Sequence, residues 1–155
     1  MEKIEELYKD VQVKANKLIS TFKELYKMDI RITSAYRSFE EQEKLYSIGR
    51  GSPGQIVTMA QPGFSAHNYR LAFDVCFRGT DPWLDKNPKR SELWEALGCL
   101  GESFSLEWAG RWVQFKELPH FQSLYNFKIN ELYELHRIGG IDLITKTLDE
   151  RITFK

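Results

Sequence analysis

The chain has 155 residues, 42% of them apolar and 28% charged, with 22 Lys plus Arg balanced by 22 Asp plus Glu. That length fits one domain with a substantial core, and a net charge of zero offers no field to draw in nucleic acid or an anionic membrane. No stretch approaches the roughly 18 consecutive apolar residues of a membrane span, and the charged start Met1-Glu2-Lys3-Ile4-Glu5-Glu6 lacks the apolar centre of a secretory signal. The chain is therefore expected in the cytoplasm, with Cys76 and Cys99 as free, buried thiols; a monomer is expected.

Residues 1–27 read as an amphipathic helix, because Ile4, Leu7, Val11, Ala15, Leu18, Phe22 and Leu25 recur at spacings of three and four. The period then changes to two at Ile30, Ile32 and Ser34, a short half-buried strand. Ser38 with Glu41 forms a capping box for a second helix, Phe39 to about Ile48, which Gly49 and Gly51 stop. Arg37 falls at the strand-to-helix junction, where side chains commonly point into clefts. Residues 49–64 contain Pro53, Pro62 and four glycines and read as loop.

From Leu71 the alternation resumes. Leu71, Phe73, Val75 and Phe77 share one face, while Ala72, Asp74 and Cys76 share the other. A turn is expected at Arg78–Pro82 and a short helix at Ser91–Gly98, stopped by its glycine. Residues 101–110 read as irregular, anchored by Leu106 and Trp108. Trp112, Val113 and Phe115 begin a strand that Pro119 breaks and that resumes at His120-Phe121-Gln122. Residues 127–151 form two short helices separated by Gly139-Gly140. The expected fold class is α+β: a small antiparallel sheet with helices at both chain ends.

Four titratable groups invite a chemical reading. Two imidazoles and a carboxylate with one open position make a hydrolytic zinc site, and His67, Asp74 and His120 supply those donors. Glu117, three residues before His120 across a rigid proline, is placed to act as a general base beside a metal-bound water. Spacing alone leaves bland alternatives standing. A histidine near an apolar strand is commonly a hydrogen-bonded structural residue, and Arg37 offers Asp74 a salt-bridge partner that would satisfy a carboxylate in an apolar strand.

The stretch Ser65-Ala66-His67-Asn68-Tyr69-Arg70-Leu71-Ala72-Phe73-Asp74 resembles the Ser-x-His-x-x-Gly-x-Ala-x-Asp signature of the zinc peptidases of the VanY/D-alanyl-D-alanine carboxypeptidase superfamily (peptidase M15 type). Thr33–Ser38, Gln42, Val57–Gly63, Trp108–Gly110 and Glu117–Gln122 follow in the family's order. Together they span roughly residues 30–122, and the chain is most similar to the L-alanyl-D-glutamate endopeptidases, phage endolysins among them. The resemblance implies a hedgehog/D-alanyl-D-alanine-peptidase-like fold, and with only 35 residues after His120 one catalytic domain over 1–155 is expected, without a separate wall-binding domain.

It further implies Zn2+ held by His67, Asp74 and His120, with Glu117 as acid-base group. Arg37 would face substrate and offset oxyanion charge, and Ser65 would lie beside the substrate. The implied partner is the peptidoglycan stem peptide, cut between L-Ala and D-Glu, with no nucleic acid and no membrane insertion. The implied setting is a phage or prophage lysin held in the cytoplasm until a holin-type pore releases it to the wall. A D-alanyl-D-alanine carboxypeptidase or dipeptidase of the same superfamily is the near alternative, and a catalytically silent wall-binding module the distant one. One position departs from the signature: Arg70 stands where the family has glycine, and a turn needing positive φ there would be strained. Cys76 is read as a packing residue, and His136 is left outside the site.

Overall fold

A computed structural model describes residues 3–79 and 88–153. Its elements run α1 (Lys9–Tyr26), β1 (Ile30–Ser34), α2 (Phe39–Ser47), β2 (Ala72–Phe77), α3 (Pro88–Ser103), β3 (Glu107–Trp108), β4 (His120–Gln122) and α4 (Ile129–Thr153), with short 3-10 turns between. The four strands form one antiparallel sheet in the order β1-β2-β4-β3. Helices with a small antiparallel sheet make this an α+β fold, as expected. By backbone contacts the chain divides into two compact units: the described residues up to Tyr36 with Ala72–Ser123, and Arg37–Leu71 with the described residues from Leu124 onward.

The first unit is the sheet with α1 and α3. Val11, Ala15, Leu18 and Phe22 of α1 are fully buried, as the helical spacing requires, although Leu25 of the same stripe is 62% exposed. The N-terminal helix is not continuous. A 3-10 turn at Lys3–Glu6 precedes α1, and Leu7 and Tyr8 are buried at the break. In β2 both alternating sets are buried, Asp74 being the one partly exposed member. Phe77 packs against Phe22 of α1 and Trp94 of α3, so aromatic area joins helices to sheet.

Three sequence expectations fail here for physical reasons. α3 does not stop at Gly98 but runs on to Ser103. A Cβ at Gly98 would lie 2.2 Å from the Trp108 indole, and one at Gly101 would lie 2.5 Å from the Phe121 ring. These glycines serve close approach of strand aromatics to the helix, not termination. Residues 112–116 form no strand: Val113 is 99% exposed and Phe115 has φ 49. Cys99 is exposed, while Cys76 is buried as expected. The turn expected at Arg78–Pro82 is present at Arg78 and Gly79, and from Thr80 it lies outside the described residues.

The second unit holds α2, the loop after it, the 3-10 turn Ala66–Tyr69 and α4. The Ser38–Glu41 capping box forms as read, with the Glu41 N–H donating to Ser38 Oγ at 3.0 Å. α4 is two helices meeting at Gly140, whose φ 69 and ψ −163 lie outside helical space, so the glycine-split pair is borne out. Its first half packs aromatic on aromatic, with Phe64 stacked on Tyr133 and Phe39 on His136. Among the described residues no helix is long and apolar enough to cross a membrane.

Candidate metal and catalytic site

The sheet places two of the expected donors by register. Asp74 of β2 stands directly opposite His120 of β4, so their side chains share a face and meet, as cross-strand pairs do. His120 Nδ1 lies 3.1 Å from Asp74 Oδ1 and 3.7 Å from Glu117 Oε2. The apolar side of the same strands carries Phe73 stacked on Phe121 at 5.7 Å. One face is chemistry and the other is core.

Glu117 is brought under His120 by a tight turn through Pro119. The His120 N–H donates to the Glu117 carbonyl, the Glu117 N–H to Ala109 O and the Val75 N–H to Pro119 O. The Trp108 indole N–H donates to Leu118 O at 2.8 Å and pins the turn to β3. His120 is buried, with the Trp112 ring 5.4 Å away. Burial disfavours its imidazolium. The Asp74 hydrogen bond and charge, the Glu117 charge and a bond to Gln122 outweigh that, and the pKa lies above the ordinary 6.5.

His67, Arg37 and Ser65 belong to the other unit. His67 sits in the 3-10 turn Ala66–Tyr69 and is 2% exposed. Ser65 is the N-cap of that turn, its hydroxyl accepting from the His67 N–H at 3.3 Å, so here it shapes the backbone that carries His67. The Arg37 N–H donates to His67 O at 3.1 Å, and the guanidinium donates to Gln42 Oε1 at 3.0 Å. Gln42 is fully buried and donates in turn to Ala60 O at 2.8 Å, which fixes which way its oxygen faces.

Sequence reasoning passed over Asn68. Its Oδ1 accepts from the Gly63 and Ser65 N–H groups and its Nδ2 donates to Arg37 O. An asparagine three residues after a serine cap is the signal that could have found it. Arg70 closes the same turn with φ 64, its N–H donating to Ala66 O. This chain thus carries arginine under strain at a left-handed backbone position, where the signature it resembles has glycine.

One ligand atom from each of His67, Asp74 and His120 lies within 4.8 Å of the others. Imidazole nitrogen and carboxylate oxygen are donor types that zinc takes at about 2.0–2.2 Å. Two imidazoles and one carboxylate also leave the open position that hydrolysis needs. The residues present fit the metal.

Residues 58–123 match the model of a family described as D-alanyl-D-alanine carboxypeptidase. Peptidoglycan L-alanyl-D-glutamate endopeptidase CwlK of Bacillus subtilis (strain 168) is 36% identical over 105 residues, which cover 64% of this chain and 63% of that protein. The chain thus spans less than two thirds of that relative's length. Among solved structures, the LdcB LD-carboxypeptidase superposes with a TM-score of 0.57 at 22% identity, covering 87% of this chain and 77% of that one. The L-Ala D-Glu endopeptidase ChiX of Serratia marcescens gives 0.53 at 16% identity, covering 79% and 84%. DacB from Streptococcus pneumoniae D39 gives 0.53 at 22% identity, covering 84% and 75%. At such identities the structures speak for the fold alone. In sequence over its central segment and in its α+β fold, the chain resembles the M15-type peptidases that include the D-alanyl-D-alanine carboxypeptidases and L-alanyl-D-glutamate endopeptidases.

Proposed function

We propose that this chain is a zinc-dependent peptidase of peptidoglycan stem peptides that cuts between L-Ala and D-Glu. The observation that carries the reading is the convergence of His67, Asp74 and His120 donor atoms with the Glu117 carboxylate beside His120. A bound zinc ion would supply Lewis acidity, polarising the scissile carbonyl and bringing the pKa of a bound water down toward about 7. Glu117 takes the proton of the attacking water and later gives it to the leaving amine. Arg37, steadied by Gln42, offsets charge developing on the carbonyl oxygen. Ser65 serves substrate only indirectly, through the turn it caps.

The similarity to CwlK favours the L-Ala–D-Glu bond. The description of the matching family favours a carboxypeptidase that releases terminal D-alanine instead. Mass spectrometry of purified muropeptides, with and without a chelator, separates the two by the fragment released. Glu117→Gln should keep its zinc and lose turnover by about 100–10,000-fold; an unimpaired variant removes Glu117 from the mechanism. The endolysin role rests on the family resemblance. Lysis of permeabilised cells by the zinc-loaded protein tests it, and intact cells together with degraded purified muropeptides would leave a peptidase that is not a lysin.

A further inference from the structure

Gln122 lies two residues beyond His120 in β4 and so shares its face. It is 8% exposed and stands directly across from Glu107 of β3. Its amide makes two hydrogen bonds with a forced direction. A carboxylate can only accept, so the Gln122 Nε2 faces and donates to Glu107 Oε2. The Gln122 Oε1 is thereby turned toward His120 Nε2, 2.8 Å away. An amide oxygen cannot donate, so this hydrogen bond needs a proton on Nε2, while Nδ1 faces the Asp74 carboxylate 3.1 Å away, which also only accepts.

We propose that Gln122, held by Glu107, is a positioning residue that holds the proton on His120 Nε2, so that Nδ1, which hydrogen-bonds Asp74 in the metal-free protein, is the nitrogen a metal ion would take. The inference rests on the zinc reading above and names what orients one of its ligands. The logic is that of the outer shell of metal sites. A histidine ligand whose second nitrogen donates to a fixed acceptor has its ring plane and tautomer set before the ion arrives. Here the acceptor is a neutral amide, with the carboxylate one residue further out on an exposed strand position.

Three proteins and the double variant test the relay, each first checked for a wild-type circular dichroism spectrum. Zinc affinity is measured by competition with a chromophoric chelator. Gln122→Leu should weaken binding by about 10–100-fold. Glu107→Ala removes an exposed side chain, leaves the fold intact and should weaken binding severalfold by freeing the amide to turn. In the Gln122→Leu background the Glu107→Ala effect should vanish, because no amide remains to orient. Affinity within twofold of wild type in Gln122→Leu, or equal Glu107→Ala effects in both backgrounds, overturns the relay.

A second readout needs no metal. Proton spectra of the metal-free protein should show the His120 Nε2–H as a hydrogen-bonded resonance in wild type that shifts or is lost in Gln122→Leu. An Nε2–H resonance that is the same in both proteins overturns the relay whether or not zinc binds. Wild-type protein that takes up no zinc, yet shows the Gln122-dependent Nε2–H resonance, sinks the peptidase reading and leaves the relay standing.

Discussion

The two segments that supply the donor atoms are built by opposite means. Asp74 and His120 are placed by strand register, with ladder bonds along the backbone and Phe73 stacked on Phe121 behind them. His67 lies in a four-residue 3-10 turn that has no ladder. Its backbone is held by the Ser65 hydroxyl, the Asn68 amide and the Arg37 N–H. Register spreads the work over many small contacts, each replaceable. A side-chain-built turn concentrates it in single polar groups, so point substitutions there should act more sharply.

The largest expected effect follows from Asn68. Asn68→Ala strands the buried Gly63 and Ser65 N–H groups and removes the donor to the half-buried Arg37 carbonyl, at about 1 kcal/mol or more for each N–H, or roughly 2–3 kcal/mol together. Urea unfolding measures it, and zinc affinity should fall with it. A loss below about 1 kcal/mol would show that the turn holds itself. On the sheet side, Gly98→Ala drives a methyl into the Trp108 indole. The strand must give way, at about 2 kcal/mol, while zinc affinity changes little because the register survives. Equal zinc losses in the two variants would abolish the contrast.

Smaller still is a pH effect on the metal-free protein, since burial of His120 works against the carboxylates that raise its pKa. A raised folded pKa stabilises below the unfolded value of about 6.5, and that stabilisation is lost as pH rises through the folded value. The thermal midpoint of metal-free wild type, relative to His120→Gln, should therefore fall with rising pH across that window. A relative midpoint that climbs would reverse the sign and the assignment. The smallest effect is a gain. Arg70→Gly relieves a left-handed arginine and should stabilise by up to about 1 kcal/mol, part of it returned as unfolded-state entropy. Calorimetry showing a loss would mean that the Arg70 side chain holds the turn.

Much of this was legible in the residues, and what was hidden has a common cause. Helical spacing located α1, the Ser38 box located α2 and the Gly139-Gly140 pair located the break in α4, because each is a local signal. Alternation placed Asp74 on the face opposite Phe73 and Val75. The segment Trp112–Phe115 has strand-like composition, yet nothing covers Val113, and strand pairing is a property of neighbours. Gly98 reads as a stop until Trp108 is seen against it. Gln122 looked like the tail of a motif, since its role needs both Glu107 across the sheet and His120 beside it. Non-local contacts decide in every one of these cases.

The amide at position 122 also settles a charge count. Asp74 and Glu117 bring two negative charges to a largely buried face, and a divalent ion would cancel them. A glutamate at 122 would have left one charge over, whereas Gln122 conducts the pull of Glu107 without adding to the sum. In the metal-free protein the raised His120 pKa lets an imidazolium stand in for part of the missing positive charge. Zinc uptake must expel that proton, so affinity should climb with pH and each ion bound near neutrality should release acid.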